Sequence, residues 1–157
     1  MEKTADKKVT MSLASLVYKT AKMGGESITD VLPKIKGGRD GEKAESMRSE
    51  LSRQFSEYES IASQAEAYIL SMDGQPKEEN IMAKMASKMG IMMNTMKDPS
   101  PSHVAEMMVQ GLAMGIAEVT ADVREAKANG CDENVIRLAN RLVSFQEEAV
   151  DRIKAFL

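Results

Sequence analysis

The stretch DGQPKEENIMAKMASKMGIMMNTMKDPSP, residues 73–101, decides how the rest of the chain can be arranged. Helix-breaking residues stand at both of its ends, since Gly74 and Pro76 open it and Pro99 and Pro101 close it. Between them, methionine recurs in steps of three and four residues, which is the spacing of one helix face. The positions are Met82, Met85, Met89, Met92 and Met96. The pattern predicts a Met-rich helix over residues 77–97, about 30 Å long.

Four longer helices flank the Met-rich helix, and each is predicted from an apolar stripe of helical period. Their ranges are residues 10–35, 41–73, 101–128 and 132–156. Residues 1–9 are polar and are predicted to form a flexible leader. Pro33 should end the first helix early, because proline lacks the N–H that a helix interior uses. Ser100 before Pro101, and Asp132 after the Asn129-Gly130 pair, are predicted to cap the last two helices.

Glycine and aspartate mark the remaining helix ends. The Gly37-Gly38 pair should stop the first helix, and Asp40 should cap the second by accepting a bond from a free backbone N–H. Gly74 is predicted to supply a left-handed cap at the end of the second helix, because glycine adopts positive φ without steric cost.

Composition agrees with an all-α domain that has a sizeable core. Hydrophobic residues make up 43% of the 157 residues, with 14 Met, no Trp, 3 Phe and 3 Tyr. Helix formers dominate, whereas the aromatic and β-branched residues that favour strands are sparse. We therefore predict a leader followed by a single helical domain over residues 10–157.

Charge and cysteine content exclude several classes of protein. The net charge is −3, and no basic run exceeds Lys7-Lys8, so we expect no nucleic-acid partner. No apolar run approaches the roughly 20 residues that span a bilayer, and the first residues lack the apolar core of a secretory signal. We therefore expect a cytoplasmic protein that does not enter a membrane. Cys131 is the one cysteine and cannot form an internal disulfide.

Helix lengths predict the topology. The loops after the first and fourth predicted helices are short, so each of these helices should pair antiparallel with the next. The Met-rich helix is long enough to run back along most of such a bundle. The second and fourth predicted helices would then be parallel and joined by a long crossover.

Two hairpins joined by a long crossover form the layout of ferritin-like bundles, and the chain resembles the ferritin-like superfamily over residues 10–157. Within it, the chain is similar to small bacterial proteins of unassigned function. The stretch PSHVAEMM, residues 101–108, with Gly111 and Gly115, carries most of the resemblance. The resemblance implies an all-α, ferritin-like four-helix bundle with the Met-rich helix as an additional crossover. An up-and-down five-helix bundle is the competing topology.

The resemblance does not extend to the di-iron centre. Ferritin-like di-iron proteins use a Glu from each of two helices and a Glu-x-x-His motif from each of the other two. This chain has one histidine, His103, and it stands before Glu106 in the reverse order, His-x-x-Glu. We therefore expect a fold without that centre. No set of residues has a coherent catalytic role, so we predict neither an enzyme nor a cofactor.

Other metal sites remain as weaker candidates, for iron, manganese or copper. Glu118 and Asp122 lie on or beside the apolar face of the fourth predicted helix, where a buried carboxylate would need a partner or a metal. His103 with Glu106 forms a second candidate pair. Both carboxylates of the first pair could instead face water.

The methionines offer a third candidate site. Thioether sulfur suits Cu(I), and Met85, Met89 and Met92 would converge on one ion if they are ligands. Core packing is the competing interpretation, because methionine fills irregular gaps and buried stripes have the same spacing. Met107, Met108 and Met114 on the next helix would extend that packing, and Gly111 and Gly115 would let helices approach closely.

Three polar residues on apolar faces are predicted to form a hydrogen-bond set between helices, namely Gln54, Tyr58 and Gln146. Cys131 lies in the loop beside the start of the last predicted helix, whose dipole can lower a thiol pKa. Because no histidine partner stands near it in the sequence, we expect an inert loop thiol.

The favoured function is a non-catalytic helical bundle that acts through protein contacts, as a homo-oligomer or with another protein. One alternative is a metal-binding ferritin-like protein with a carboxylate or a thioether site. The other is a binder of apolar small molecules, with the Met-rich helix as a movable lid over a Met-lined cavity.

Overall fold

The structure is a computed structural model that describes residues 4–35, 41–76 and 100–157. These residues form four α-helices, α1 Lys7–Val31, α2 Gly41–Ser71, α3 Pro101–Ala128 and α4 Glu133–Ile153. Short 3-10 turns follow α1 and α4, over Leu32–Lys34 and Lys154–Phe156. The all-α class is thereby confirmed for the described residues. The predicted Met-rich helix over 77–97, with Met85, Met89 and Met92, lies outside them, as do Gly37-Gly38 and Asp40.

The starts of three helices follow from capping side chains. The Asp6 carboxylate accepts from the backbone N–H of Lys8 and Val9 at 2.9 and 3.1 Å, so α1 begins at Lys7, three residues earlier than predicted. Ser100 accepts from the N–H of His103 at 3.4 Å, and Asp132 accepts from the N–H of Asn134 at 2.7 Å. Both of these predicted caps are confirmed.

The end of α2 differs from the prediction for Gly74. Asp73, not Gly74, has the positive φ of 61°. Gly74 instead lies close to α1, because a Cβ at this position would come within 2.5 Å of Cε of Met11. The end of α2 therefore meets α1 here, a tertiary contact that the local sequence does not show.

Contacts at one end of the bundle set the directions of the helices. The Asp6 N–H donates to the Gly130 carbonyl at 2.8 Å, and the Asp132 N–H donates to Thr10 Oγ1 at 3.0 Å. The start of α1 therefore meets the α3–α4 turn, and the contact of Gly74 with Met11 brings the end of α2 to the same place. α3 begins at the opposite end of the bundle, so α2 and α3 run parallel.

The connection between α2 and α3 must consequently span the length of the bundle. The end of α2 and the start of α3 lie at opposite ends, and 23 residues, 77–99, stand between the two described ranges. This geometry is common to a crossover and to the central arm of an up-and-down five-helix bundle. The described residues therefore leave both topologies open.

One continuous core joins the four helices. α1 packs against α2, α3 packs against α4, and α4 also contacts α1 and α2. Two salt bridges connect the outer edges of α2 and α4. Arg141 Nη2 lies 2.7 Å from Glu57 Oε1, and Arg152 Nη1 lies 3.8 Å from Glu50 Oε2. The most deeply buried apolar side chains include Leu13, Val17, Tyr18, Ile28, Met47, Leu51, Ile61, Ile69 and Leu142.

Candidate functional site

The outer side of α3 is a helix surface that carries little charge. Between Glu106 and Arg124, the exposed positions carry one charged side chain, Glu118. The other exposed positions are Gln110, Gly111, Ala113, Met114, Ala117, Thr120 and Ala121. We call these eight positions the outer face of α3. Small and apolar side chains on a helix exterior are typical of a contact surface, because solvated helix faces ordinarily carry charge.

Met114 is the most exposed large apolar side chain of this face, with 64% of its surface accessible. The predicted packing of three methionines is therefore wrong for Met114, although Met107 and Met108 are buried. The two glycines also differ. A Cβ at Gly115 would lie 2.7 Å from Gln146 Nε2, whereas a Cβ at Gly111 would have no atom within 4 Å. The packing role predicted for both thus applies to Gly115 alone within the bundle.

By length and composition α3 is also the one helix among the described residues that could cross a membrane. Its most apolar 18-residue window has a mean hydropathy of 1.2, and 33% of that window is buried. The prediction that composition excludes a membrane span therefore does not hold for α3. Core helices of soluble proteins meet the same criterion, so the helix does not establish membrane association.

A second feature is polar and lies inside the bundle, where Gln54, Tyr58 and Gln146 are all buried. The Tyr58 ring fills the place that a side chain at Gly24 would take, since a Cβ there would overlap the ring carbon that bears the hydroxyl. The same ring packs edge-on against Phe145 of α4, with the centroids 4.9 Å apart. Glycine on α1 and an aromatic residue on α4 therefore position the Tyr58 phenol in the centre of the core.

Burial raises the pKa of Tyr58 to about 12, and the hydrogen bond with Gln146 lowers it in part. Because Oε1 of Gln146 has no partner, the Gln146 amide N–H must be the donor in this bond. The phenol is therefore neutral at physiological pH. The predicted bond between helices is formed by Tyr58 and Gln146, whereas Gln54 donates to Glu50 of its own helix at 3.0 Å.

Glu50 of α2 is the hydrogen-bond acceptor for Gln54. Burial acts to raise its pKa, but hydrogen bonds from Arg53 and Gln54 and the charges of Arg53 and Arg152 outweigh burial, so the pKa is lowered. Glu50 is thus an ionised hydrogen-bond acceptor, and its oxygens are already engaged by neighbouring donors.

The candidate metal ligands on the described helices are dispersed. Nδ1 of His103 lies 3.5 Å from Glu106 Oε2 near the start of α3, where His103 is half-buried and Glu106 is exposed. Glu118 is exposed, and Asp122 is half-buried beside a shallow depression between α1 and α3. Across residues 4–35, 41–76 and 100–157, no three His, Cys, Asp or Glu side chains form a group that could hold a metal ion.

Cys131 lies buried beside the start of α1. Burial raises the pKa of its thiol, and a hydrogen bond with Thr10 opposes this in part. A raised pKa leaves little thiolate at neutral pH, so the helix dipole does not create a nucleophile here.

Sequence reasoning treated α3 as an ordinary core helix and missed its outer face. The signal was present, because the stretch QGLAMGIA, residues 110–117, carries no charge on any side of the helix.

Comparisons of the chain with protein-family models, with curated proteins and with solved structures gave no match.

Proposed function

We propose that the chain is a non-catalytic, ferritin-like helical bundle that acts through protein contacts, with the Met-rich segment 77–97 as its crossover helix. The outer face of α3 serves as the contact surface, and its occupant is a second copy of the chain. The protein works in the cytoplasm without nucleic acid or an added cofactor. The observation that carries this proposal is the run of eight exposed positions on α3 with Glu118 as the sole charge.

The ferritin-like part of the proposal is compatible with the helix directions. Parallel α2 and α3 are what a long crossover needs, although an up-and-down five-helix bundle has them too, and 23 residues are available for the connection. As a helix, these residues would extend about 35 Å, which is close to the length of the helices they pass.

The composition of the face supports a second copy as its partner. Glu118 is the one charge on the face, so the face is best matched by another surface that is poor in charge, because a highly charged partner would lose hydration without gaining ion pairs. The α3 face itself meets this requirement, so a two-fold axis can bring it against its own copy. Gly111, Ala113, Ala117 and Ala121 are small enough to let two helix backbones approach closely.

The test is light scattering on the wild-type chain and on a matched pair of variants. Ala117 on the outer face of α3 and Ala67 on α2 are both exposed helical alanines, so A117E and A67E introduce the same charge at different sites. We expect a wild-type dimer that A117E converts to a monomer and that A67E leaves intact. A strictly monomeric wild type, or equal behaviour of the two variants, would overturn self-association.

One further outcome would identify a different occupant of the outer face of α3. If the wild type is monomeric and A117E alone lowers its thermal stability, the face is covered from within the chain. The segment 77–99 would then be the occupant, and the second copy would not.

A further inference from the structure

The buried cluster of Gln54, Tyr58 and Gln146 has unused hydrogen-bonding capacity. The two glutamines are 0% and 2% exposed. Their Oε1 atoms are both buried, and neither has a hydrogen-bond partner in the described part of the chain. Buried polar atoms in folded proteins almost always have a partner, and ordered water is the common one where side chains supply none.

The antiparallel register of α2 and α4 places the two glutamines at one level. Glu50 is bridged to Arg152, and Glu57 is bridged to Arg141, so the residues between these pairs face each other in reverse order. Gln54 lies between Glu50 and Glu57, and Gln146 lies between Arg141 and Arg152.

Tyr58 marks the same level of the core. Its ring contacts Phe145, and its phenol oxygen accepts from Gln146. The register of α2 and α4 therefore brings two acceptors without partners and one hydroxyl group to the same level of their interface.

We propose that α2 and α4 hold one buried water molecule here, which donates to Oε1 of Gln54 and of Gln146 and accepts from the Tyr58 hydroxyl. Water supplies both missing donors, and three hydrogen bonds are the usual number for a buried water. A hard cation fits less well, because two neutral amide oxygens are far fewer than the six or more ligands that calcium takes. The water fixes the register of α2 against α4, since a shift of either helix breaks its bonds.

Relaxation dispersion of the water signal, which counts long-lived internal waters, tests this site. The variant Q54L/Q146L removes both acceptors, and Q64L removes an exposed glutamine of α2 as the matched control. We expect the double variant to lose one long-lived water and Q64L to lose none. Equal counts in all three proteins would overturn the proposal.

A second measurement uses the wild-type chain alone, so that failure of the double variant to fold does not end the test. We expect a nuclear Overhauser cross-peak between water and the side-chain amide protons of Gln146, with the sign of a long-lived complex. Absence of this cross-peak, or a crystal structure in which the two amides bond each other directly, contradicts the site.

Discussion

α3 and α4 form one hairpin, yet their outward sides have opposite chemistry. Every exposed position of α4 is polar or charged, from Glu133 through Arg152. The exposed positions of α3 between Glu106 and Arg124 are small or apolar apart from Gln110, Glu118 and Thr120. The packing of the four helices explains why α4 is apolar on its inner side and polar on its outer side. For α3 it explains the apolar inner side but not the small and apolar residues on the outer side. The comparison shows that, among the described residues, apolar and small side chains are left exposed on the outer side of α3 and not on that of α4.

The largest expected effect is the difference in stability loss between truncating a buried side chain on the inner side of α4 and truncating an exposed one on the outer side of α3. Leu142 is fully buried, so Leu142→Ala should lower the free energy of unfolding by about 2–5 kcal/mol. Met114→Ala removes an exposed side chain, so the isolated monomer should change by less than about 0.5 kcal/mol. Urea denaturation at low protein concentration measures both values. Equal losses would show that Met114 is packed within the monomer.

Tyr58, which packs against Phe145 of α4, gives the core a dependence on alkaline pH. Its pKa is raised from 10.0 to about 12 in the folded state. The stabilisation is therefore complete below pH 10 and is lost as the pH rises through 12, by up to about 3 kcal/mol. Denaturant titrations at increasing pH measure the loss, and Tyr58→Phe is the control. The variant should show a flatter pH dependence in this range, and an unchanged profile would contradict the raised pKa.

The two glycines of α3 provide a matched test within one helix. Gly111→Ala should stabilise the monomer by about 0.5–1 kcal/mol, because alanine is the better helix former and the space is open. Gly115→Ala meets the Gln146 amide and should be less stable than Gly111→Ala by about 1–3 kcal/mol. Thermal melts of both variants measure the difference. Equal stability would show that Gln146 moves aside without cost.

The smallest effect is expected on the polar side of α4. Arg141 and Glu57 are both 35% exposed, so Arg141→Ala should cost about 0.2–1 kcal/mol, and less at high salt. Denaturation at low and at high ionic strength measures the effect, with Arg137→Ala, an exposed arginine of the same helix, as the control. A loss that salt does not reduce would assign the role of Arg141 to packing of its side-chain stem.

The sequence predicted the helices well where local chemistry controls their ends. α3 has the predicted bounds, because Ser100 with Pro101 starts it and Asn129-Gly130 stops it. The prediction for the end of α2 was less complete, because Asp73 and not Gly74 has the positive φ, and Gly74 lies close to Met11 of another helix. The polar set was predicted in part, since periodicity places Gln54, Tyr58 and Gln146 on buried faces but does not show which of them bond.

The amino-acid sequence by itself determined an all-α chain with helices of known extent, because periodicity, caps and breakers act over a few neighbouring residues. Tertiary structure alone decided which apolar residues are left outside. Met107 and Met114 lie seven residues apart, so helical periodicity assigns them to the same side of α3, yet Met107 is buried and Met114 is exposed. Burial depends on neighbours that are distant along the chain, so no local pattern could distinguish these two.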